Sequence, residues 1–326
     1  MKPKVYVTRL LPEEAMERIR SFCDTKVWEG EVPPGRQVLL EHVRDVEGLL
    51  CLLTDKVDAE LMNKAPKLRV VSNYAVGYDN VDVVEATRRG IIVTNTPDVL
   101  TETAADLAFA LMMAAARRIV EGDKLVRAGN WKTWGPLILL GQDIHGATLG
   151  IIGFGRIGRA VARRAQGFGM KSLYYDLRRA DEVEKELGVE YAEFERLLTE
   201  SDFVTVHTNL TTETHNLIGA KELARMKKTA VLVNTARGPI VDNIALFEAL
   251  RDRKIAFAAL DVTEPEPIPS NHPLLSLSNV IITPHIASAT VATRTKMGLM
   301  AADNLISGLK GQIPPNPVNP EILSKK

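Results

Sequence analysis

The chain has 326 residues, of which 45% are hydrophobic and 25% charged, with 22 glycines and 17 prolines. That length suits two globular domains, and the composition excludes wholesale disorder or a fibrous repeat. Its 41 basic residues balance 41 acidic ones, which removes the electrostatic reason to expect nucleic acid or an anionic membrane as a partner. Cys23 and Cys51 lie in apolar surroundings with neither a CxxC pair nor a Cys/His cluster. They read as reduced core thiols, with no metal site, in a cytoplasmic protein. Lys2, Lys4 and Arg9 interrupt the first ten residues, which lack the apolar stretch of a signal peptide. The most apolar run, Leu107–Ala116, has half the length that a membrane span needs.

Short β-branched runs alternate with amphipathic stretches from the N-terminus, the pattern of βα units on a parallel sheet. Strands are expected at Val5–Thr8, Val27–Glu29, Gly48–Leu53, Arg69–Asn73 and Ile91–Thr94, with helices such as Glu13–Phe22 and Arg36–Val43 between them. The Asn95-Thr96-Pro97-Asp98 turn then leads into one long helix, Thr101 to about Arg127, whose small-chained centre suits close packing or a dimer contact. A second α/β series follows the Trp131–Pro136 loop. Its strands are expected at Thr148–Ile152, Ser172–Tyr175, Phe203–Val206, Val231–Asn234, Ala256–Leu260 and Val280–Thr283. A last helix, about Ala292–Leu309, and a proline-rich tail have no sheet partner in that series, so they are expected to return to the first block.

Gly153-Phe154-Gly155-Arg156-Ile157-Gly158 is a G-x-G-x-x-G run between an apolar strand and a helical pattern. The first glycine permits the tight turn, the second lets the backbone approach a pyrophosphate, and the third lets helix and strand pack closely. Asp176 stands eighteen residues after Gly158, at the end of the next strand. A carboxylate there accepts the adenosine ribose hydroxyls and repels a 2′-phosphate. NAD(H) is therefore expected over NADP(H), although Arg178 and Arg179 follow closely.

In open α/β sheets ligands bind beyond the carboxyl ends of the strands. Those ends carry Asp176, His207-Thr208, Thr235-Ala236-Arg237, Asp261 and His285. Arg237 can fork onto a substrate carboxylate, and a salt bridge within the fold is its plainer use. His285 follows Pro284, while Glu266 stands between Pro265 and Pro267. A carboxylate against an imidazole stabilises the imidazolium, the proton donor that carbonyl reduction needs. A neutral core histidine is the alternative.

Taken together, these residues resemble the D-2-hydroxyacid dehydrogenases, and most of all the glyoxylate/hydroxypyruvate reductases. The resemblance runs through Lys4–Arg9, Tyr74-Ala75-Val76-Gly77-Tyr78-Asp79-Asn80, Thr94–Pro97, Ala105–Ala108, Thr148–Gly158 and Ile313–Asn316. It implies an α/β architecture in which a Rossmann dinucleotide-binding domain, 100–286, is inserted into a flavodoxin-like substrate domain built from 1–99 and 287–326. It implies Arg237, Glu266 and His285 as catalytic residues, with His285 as proton donor. Substrate binding falls on Val76, Gly77, Arg237 and His285. Cofactor contacts fall on Gly153, Gly155, Arg156, Ile157, Gly158, Asp176, Thr208, Thr235, Ala236, Arg237, Asp261 and His285.

The implied reaction is NAD(P)H-dependent reduction of glyoxylate or hydroxypyruvate by a cytoplasmic homodimer. The alternatives are a dehydrogenase for D-lactate, D-glycerate or 3-phosphoglycerate, or a nucleotide-sensing corepressor that binds protein partners. Asn209 and Ala287 stand where the family commonly has proline and glycine. Both lie beside the expected cofactor site.

Overall fold

A computed structural model describes residues 1–325. Contacts divide the chain into two compact units, one of Met1–Leu100 together with the chain from Ser288 onward, the other Thr101–Ala287. The first unit alternates β1 (Lys4–Val7), α1 (Glu13–Phe22), β2 (Asp24–Val27), α2 (Arg36–His42), β3 (Gly48–Cys51), α3 (Ala59–Lys64), β4 (Val70–Asn73), α4 (Val83–Arg88) and β5 (Ile92–Thr94). Its five strands are all parallel in the order β2-β1-β3-β4-β5, which is the flavodoxin-like winding.

The second unit begins with α5 (Thr101–Ala116) and α6 (Ile119–Arg127). It continues through β6 (Thr148–Ile152), α7 (Arg156–Gln166), β7 (Lys171–Tyr175), α8 (Asp181–Leu187), β8 (Glu190–Tyr191), α9 (Phe194–Glu200) and β9 (Phe203–Val206). It then runs through α10 (Ala220–Arg225), β10 (Val231–Asn234), α11 (Asn243–Arg251), β11 (Phe257–Leu260) and β12 (Val280–Ile282). The order β12-β11-β10-β9-β6-β7-β8 is a Rossmann sheet with its switch point between β6 and β9. The central strands β9, β10 and β11 are buried along their whole length, as parallel strands covered by helices on both faces must be.

The returning helix, α12 (Val291–Leu309), belongs to the first unit. Met297, Ala301, Leu305 and Leu309 join Met16 and Ile19 of α1 in one buried cluster on that sheet. Glycines let α12 lie close. A Cβ on Gly308 would stand 2.7 Å from Val70 Cγ2, and one on Gly48 would stand 2.9 Å from Leu305 Cδ1. The proline-rich tail completes the unit, with Val318 N–H donating to Val93 O at 2.7 Å and Pro317 bridging Thr94.

Several elements differ from those expected: the short edge strand β8 and the helix α9 were not anticipated, and two others fall differently along the chain. The second strand is Asp24–Val27 rather than Val27–Glu29, in register with β1 from Lys4↔Asp24 to Val7↔Val27. It is a half-exposed edge strand, so its polar residues hid it from a search for apolar runs. The single helix expected to reach Arg127 breaks after Ala116, where Arg118 adopts a left-handed φ of 53°. The Ala116 carbonyl accepts Gln142 N–H at 2.8 Å instead of continuing the helix. Gly141 permits this approach, because a Cβ there would strike that same oxygen. Among the described residues no helix is long and apolar enough to cross a membrane.

Candidate active site

In the second unit the glycine run occupies the turn between β6 and α7, at the switch point. Gly153 has φ +89°, and a Cβ on it would meet Thr208 N at 2.6 Å and the His207 carbonyl oxygen at 2.8 Å. A Cβ on Gly158 would collide with the Gly153 carbonyl oxygen. Gly155 is different. It is the N-cap of α7 with φ −73°, and nothing lies within 4 Å of where its Cβ would be. No group of the chain requires glycine there; a residue without a side chain at a helix N-terminus suits close approach of a phosphate to the helix.

Asp176 Oδ2 accepts Phe154 N–H at 2.7 Å, and Oδ1 accepts Arg178 N–H at 3.3 Å. The carboxylate thus braces the glycine turn and keeps lone pairs for further donors. Arg179 is drawn away from this point. Its Nε and Nη2 reach the Glu184 carboxylate at 2.9 Å each, and Nε also reaches Asp181 at 2.9 Å.

The carboxyl ends of β10, β11 and β12 carry the remaining residues. Asn234 is buried and organises the turn that ends in Arg237: its Oδ1 accepts Ala236 N–H at 3.0 Å and its Nδ2 donates to Arg237 O at 2.9 Å. An asparagine at a strand end opening a turn is the sequence signal of this Asx-type support, which was not among the expected site residues. Gly238 follows because a Cβ there would collide with the Thr263 carbonyl oxygen. The Arg237 turn therefore lies against the segment leading to Glu266. The Thr235 hydroxyl is buried without a hydrogen-bond partner in the chain. With open Gly155, this unmet polar atom makes the site fit a polar dinucleotide.

His285 has a left-handed φ of 52°, a conformation that a non-glycine residue keeps only under tight restraint. Asp261 supplies that restraint. It is 1% exposed, and its carboxylate accepts Thr283 Oγ1–H at 2.5 Å, Ile286 N–H at 2.9 Å and Ala287 N–H at 2.8 Å. His285 N–H donates in turn to Asp261 O at 2.9 Å. The ring, half-buried, sets Nδ1 2.6 Å from Glu266 Oε1. An ionised carboxylate only accepts, so Nδ1 carries the proton of that bond and Nε2 is left for another partner. His207, by contrast, pairs Nε2 with Thr205 Oγ1 at 2.8 Å, and burial pushes it down to about 3. It is a neutral structural histidine.

The remaining predicted residues, Val76 and Gly77, lie in the first unit, in the turn after β4. Asn95 Nδ2 donates to Val76 O at 2.7 Å, and Asn73 Nδ2 donates to Gly77 O at 2.9 Å. Among the described residues no group of the chain accepts the N–H of Val76 or of Gly77. Asn73 stands at the end of β4 and Asn95 just after β5, with no local sequence pattern that marks this role.

Residues 109–287 match the family model for the NAD binding domain of D-isomer specific 2-hydroxyacid dehydrogenases. The chain belongs to that family. It is an oxidoreductase, and its second unit is a domain for a nicotinamide dinucleotide. A glyoxylate reductase of Korarchaeum cryptofilum is 57% identical over 99% of this chain and 98% of its own length. A crystal structure of a protein from Thermus thermophilus, 47% identical, superposes with a TM-score of 0.92 over 97% of this chain and 99% of that one. An NADPH-dependent glyoxylate/hydroxypyruvate reductase of Sinorhizobium meliloti, solved with NADP and malonate, is 35% identical. Its TM-score is 0.85, with 98% of this chain and 97% of that one covered.

Proposed function

We propose that this dehydrogenase reduces glyoxylate or hydroxypyruvate to the 2-hydroxy acid and prefers NADH. The carrying observation is the 2.6 Å His285–Glu266 pair on a turn locked by Asp261; the names of the similar reductases supply the substrate class. Bound reduced nicotinamide supplies hydride to the keto carbon. Arg237 polarises the keto oxygen, and Val76 and Gly77 N–H groups take the substrate carboxylate. His285, oriented by its bond to Glu266, gives its Nε2 proton to the developing alkoxide, and the C=O becomes C–OH. On this reading 101–287 is the dinucleotide domain and the first unit the substrate domain. Arg156, Ile157, Thr208, Thr235 and Ala236 would line the cofactor's place, whereas Asp261, buried and bonded inward, would act there by holding the His285 turn.

The preference for NADH rests on Asp176. A carboxylate at the end of β7 would repel a 2′-phosphate, and the engagement of Arg179 by Glu184 and Asp181 supports the same reading. Initial rates with glyoxylate, hydroxypyruvate and pyruvate, each with NADH and NADPH, test the reading. Fast turnover of the first two with NADH supports it, while tight NADH binding without turnover of any keto acid returns the corepressor alternative.

The proposal extends to a homodimer working in the cytoplasm. No residue of α6 is buried, and Ile119, Val126, Trp131, Trp134, Leu137 and Leu140 expose apolar surface within one short stretch. Interspersed charges of both signs, Glu121, Asp123, Lys124 and Arg127, make this stretch suited to a second copy of itself. Sedimentation of the native protein and of Leu137→Glu tests it, the expected result being a dimer that dissociates in the variant. Both cysteines are buried and unpaired, in keeping with a reducing compartment.

A further inference from the structure

We infer that Asn95 and Asn73 are positioning residues that aim the N–H groups of the Val76–Gly77 turn, and that Tyr78 N–H is a further donor of the same cradle. The inference rests on the reading of that turn as the seat of the substrate carboxylate. In a trans peptide the C=O and the following N–H share one plane and point in opposite directions. Holding a carbonyl therefore aims the next residue's N–H.

Three consecutive planes are held in this way. Ala75 O accepts Thr96 N–H at 2.8 Å, Val76 O accepts Asn95 Nδ2–H at 2.7 Å, and Gly77 O accepts Asn73 Nδ2–H at 2.9 Å. The N–H groups of Val76, Gly77 and Tyr78 point the other way, and among the described residues none of them has an acceptor in the chain. Successive backbone N–H groups without acceptors form a concavity suited to an anion.

The two asparagines are themselves fixed. Asn73 is fully buried at the end of β4, and its amide also donates to Asn80 Oδ1 at 3.1 Å, while Asn80 donates to Leu52 O and Asp55 O at 3.0 Å each. Asn95 follows β5, with its carbonyl accepting Asn304 Nδ2–H from α12 at 2.9 Å and its N–H donating to Asn316 O at 3.3 Å. The returning segment thus holds the residue that holds the turn. Asn95-Thr96 grips two adjacent carbonyls, Thr96 through its backbone and Asn95 through its side chain.

The full-length protein carrying Asn95→Leu keeps the bulk and loses the donor, and Asn95→Gln keeps the amide. For Asn95→Leu, KM for glyoxylate is expected to rise about tenfold or more, with kcat changed less than about threefold. NADH affinity stays at its native value, melting temperature falls by only about a few degrees, and Asn95→Gln lies between the two proteins. An unchanged KM in Asn95→Leu overturns the proposal. So does a joint fall of kcat, NADH affinity and melting temperature, which makes Asn95 a packing residue.

The amide resonances of Gly77 and Tyr78, followed while oxamate is added to the native protein, separate this inference from the reading beneath it. Shifts in the native protein beside an unchanged KM in Asn95→Leu remove the role of Asn95 alone. No shift removes the carboxylate reading and the inference with it.

Discussion

His285 Nδ1 and Glu266 Oε1 lie 2.6 Å apart, although 19 residues and the strand β12 separate them in the chain. The imidazole is oriented from one side by this bond and from below by a backbone turn locked onto Asp261. His285→Ala is expected to lower kcat about a thousandfold, leaving NADH affinity at its native level. Glu266→Gln keeps the shape and removes the charge, and roughly a tenfold to hundredfold loss of kcat is expected. Single-turnover rates and NADH titration check both; equal loss of turnover and NADH binding in His285→Ala would make the residue structural.

The glycines of the nucleotide turn separate into two kinds. Gly158→Ala forces a Cβ against the Gly153 carbonyl oxygen and should lower the melting temperature. Gly155→Ala meets nothing of the chain and has φ −73°, so it should fold like the native protein. Its NADH affinity should fall by about tenfold or more, since the added methyl occupies the pyrophosphate's place. Thermal melts beside NADH titrations distinguish the two variants.

Asp176→Ser removes the carboxylate that opposes a 2′-phosphate while keeping an oxygen for Phe154 N–H. The ratio of kcat/KM for NADPH over NADH should rise by about tenfold or more. Steady-state kinetics with both cofactors reads it, and an unchanged ratio would deny Asp176 its part in the choice.

His207 contributes to the acid sensitivity of the fold. Its folded-state pKa of about 3 lies below the ordinary value of 6.5. Between the two, the unfolded chain binds a proton that the folded chain refuses, so stability is full above about pH 6.5 and falls toward pH 3. Thermal melts of the native protein should therefore lose more between about pH 7 and pH 4.5 than those of His207→Gln. Parallel slopes in the two proteins would refute the assignment.

How much of this was legible in the sequence depended on whether the information was local. The glycine turn, the acid after the next strand and the fully buried strands β9–β11 were readable because spacing and apolar runs encode them directly. The broken helix at Arg118 was not, because its cause is Gln142 N–H taking the Ala116 carbonyl, a contact from a distant loop. The edge strand Asp24–Val27 was missed because half-exposure erases the apolar signal.

For the site, the sequence alone determined which side chains could do the chemistry: a forked arginine at a strand end, a histidine after a proline, a carboxylate between prolines. The tertiary structure alone decided their relations. It set the Glu266 carboxylate against the His285 ring, turned the Asp261 carboxylate inward to lock that turn, and brought Asn73 and Asn95 onto successive carbonyls after β4. The physical reason is that a residue's chemistry travels with its identity. A hydrogen bond, in contrast, has length and direction, and these exist only once strands far apart in the chain have packed into one sheet.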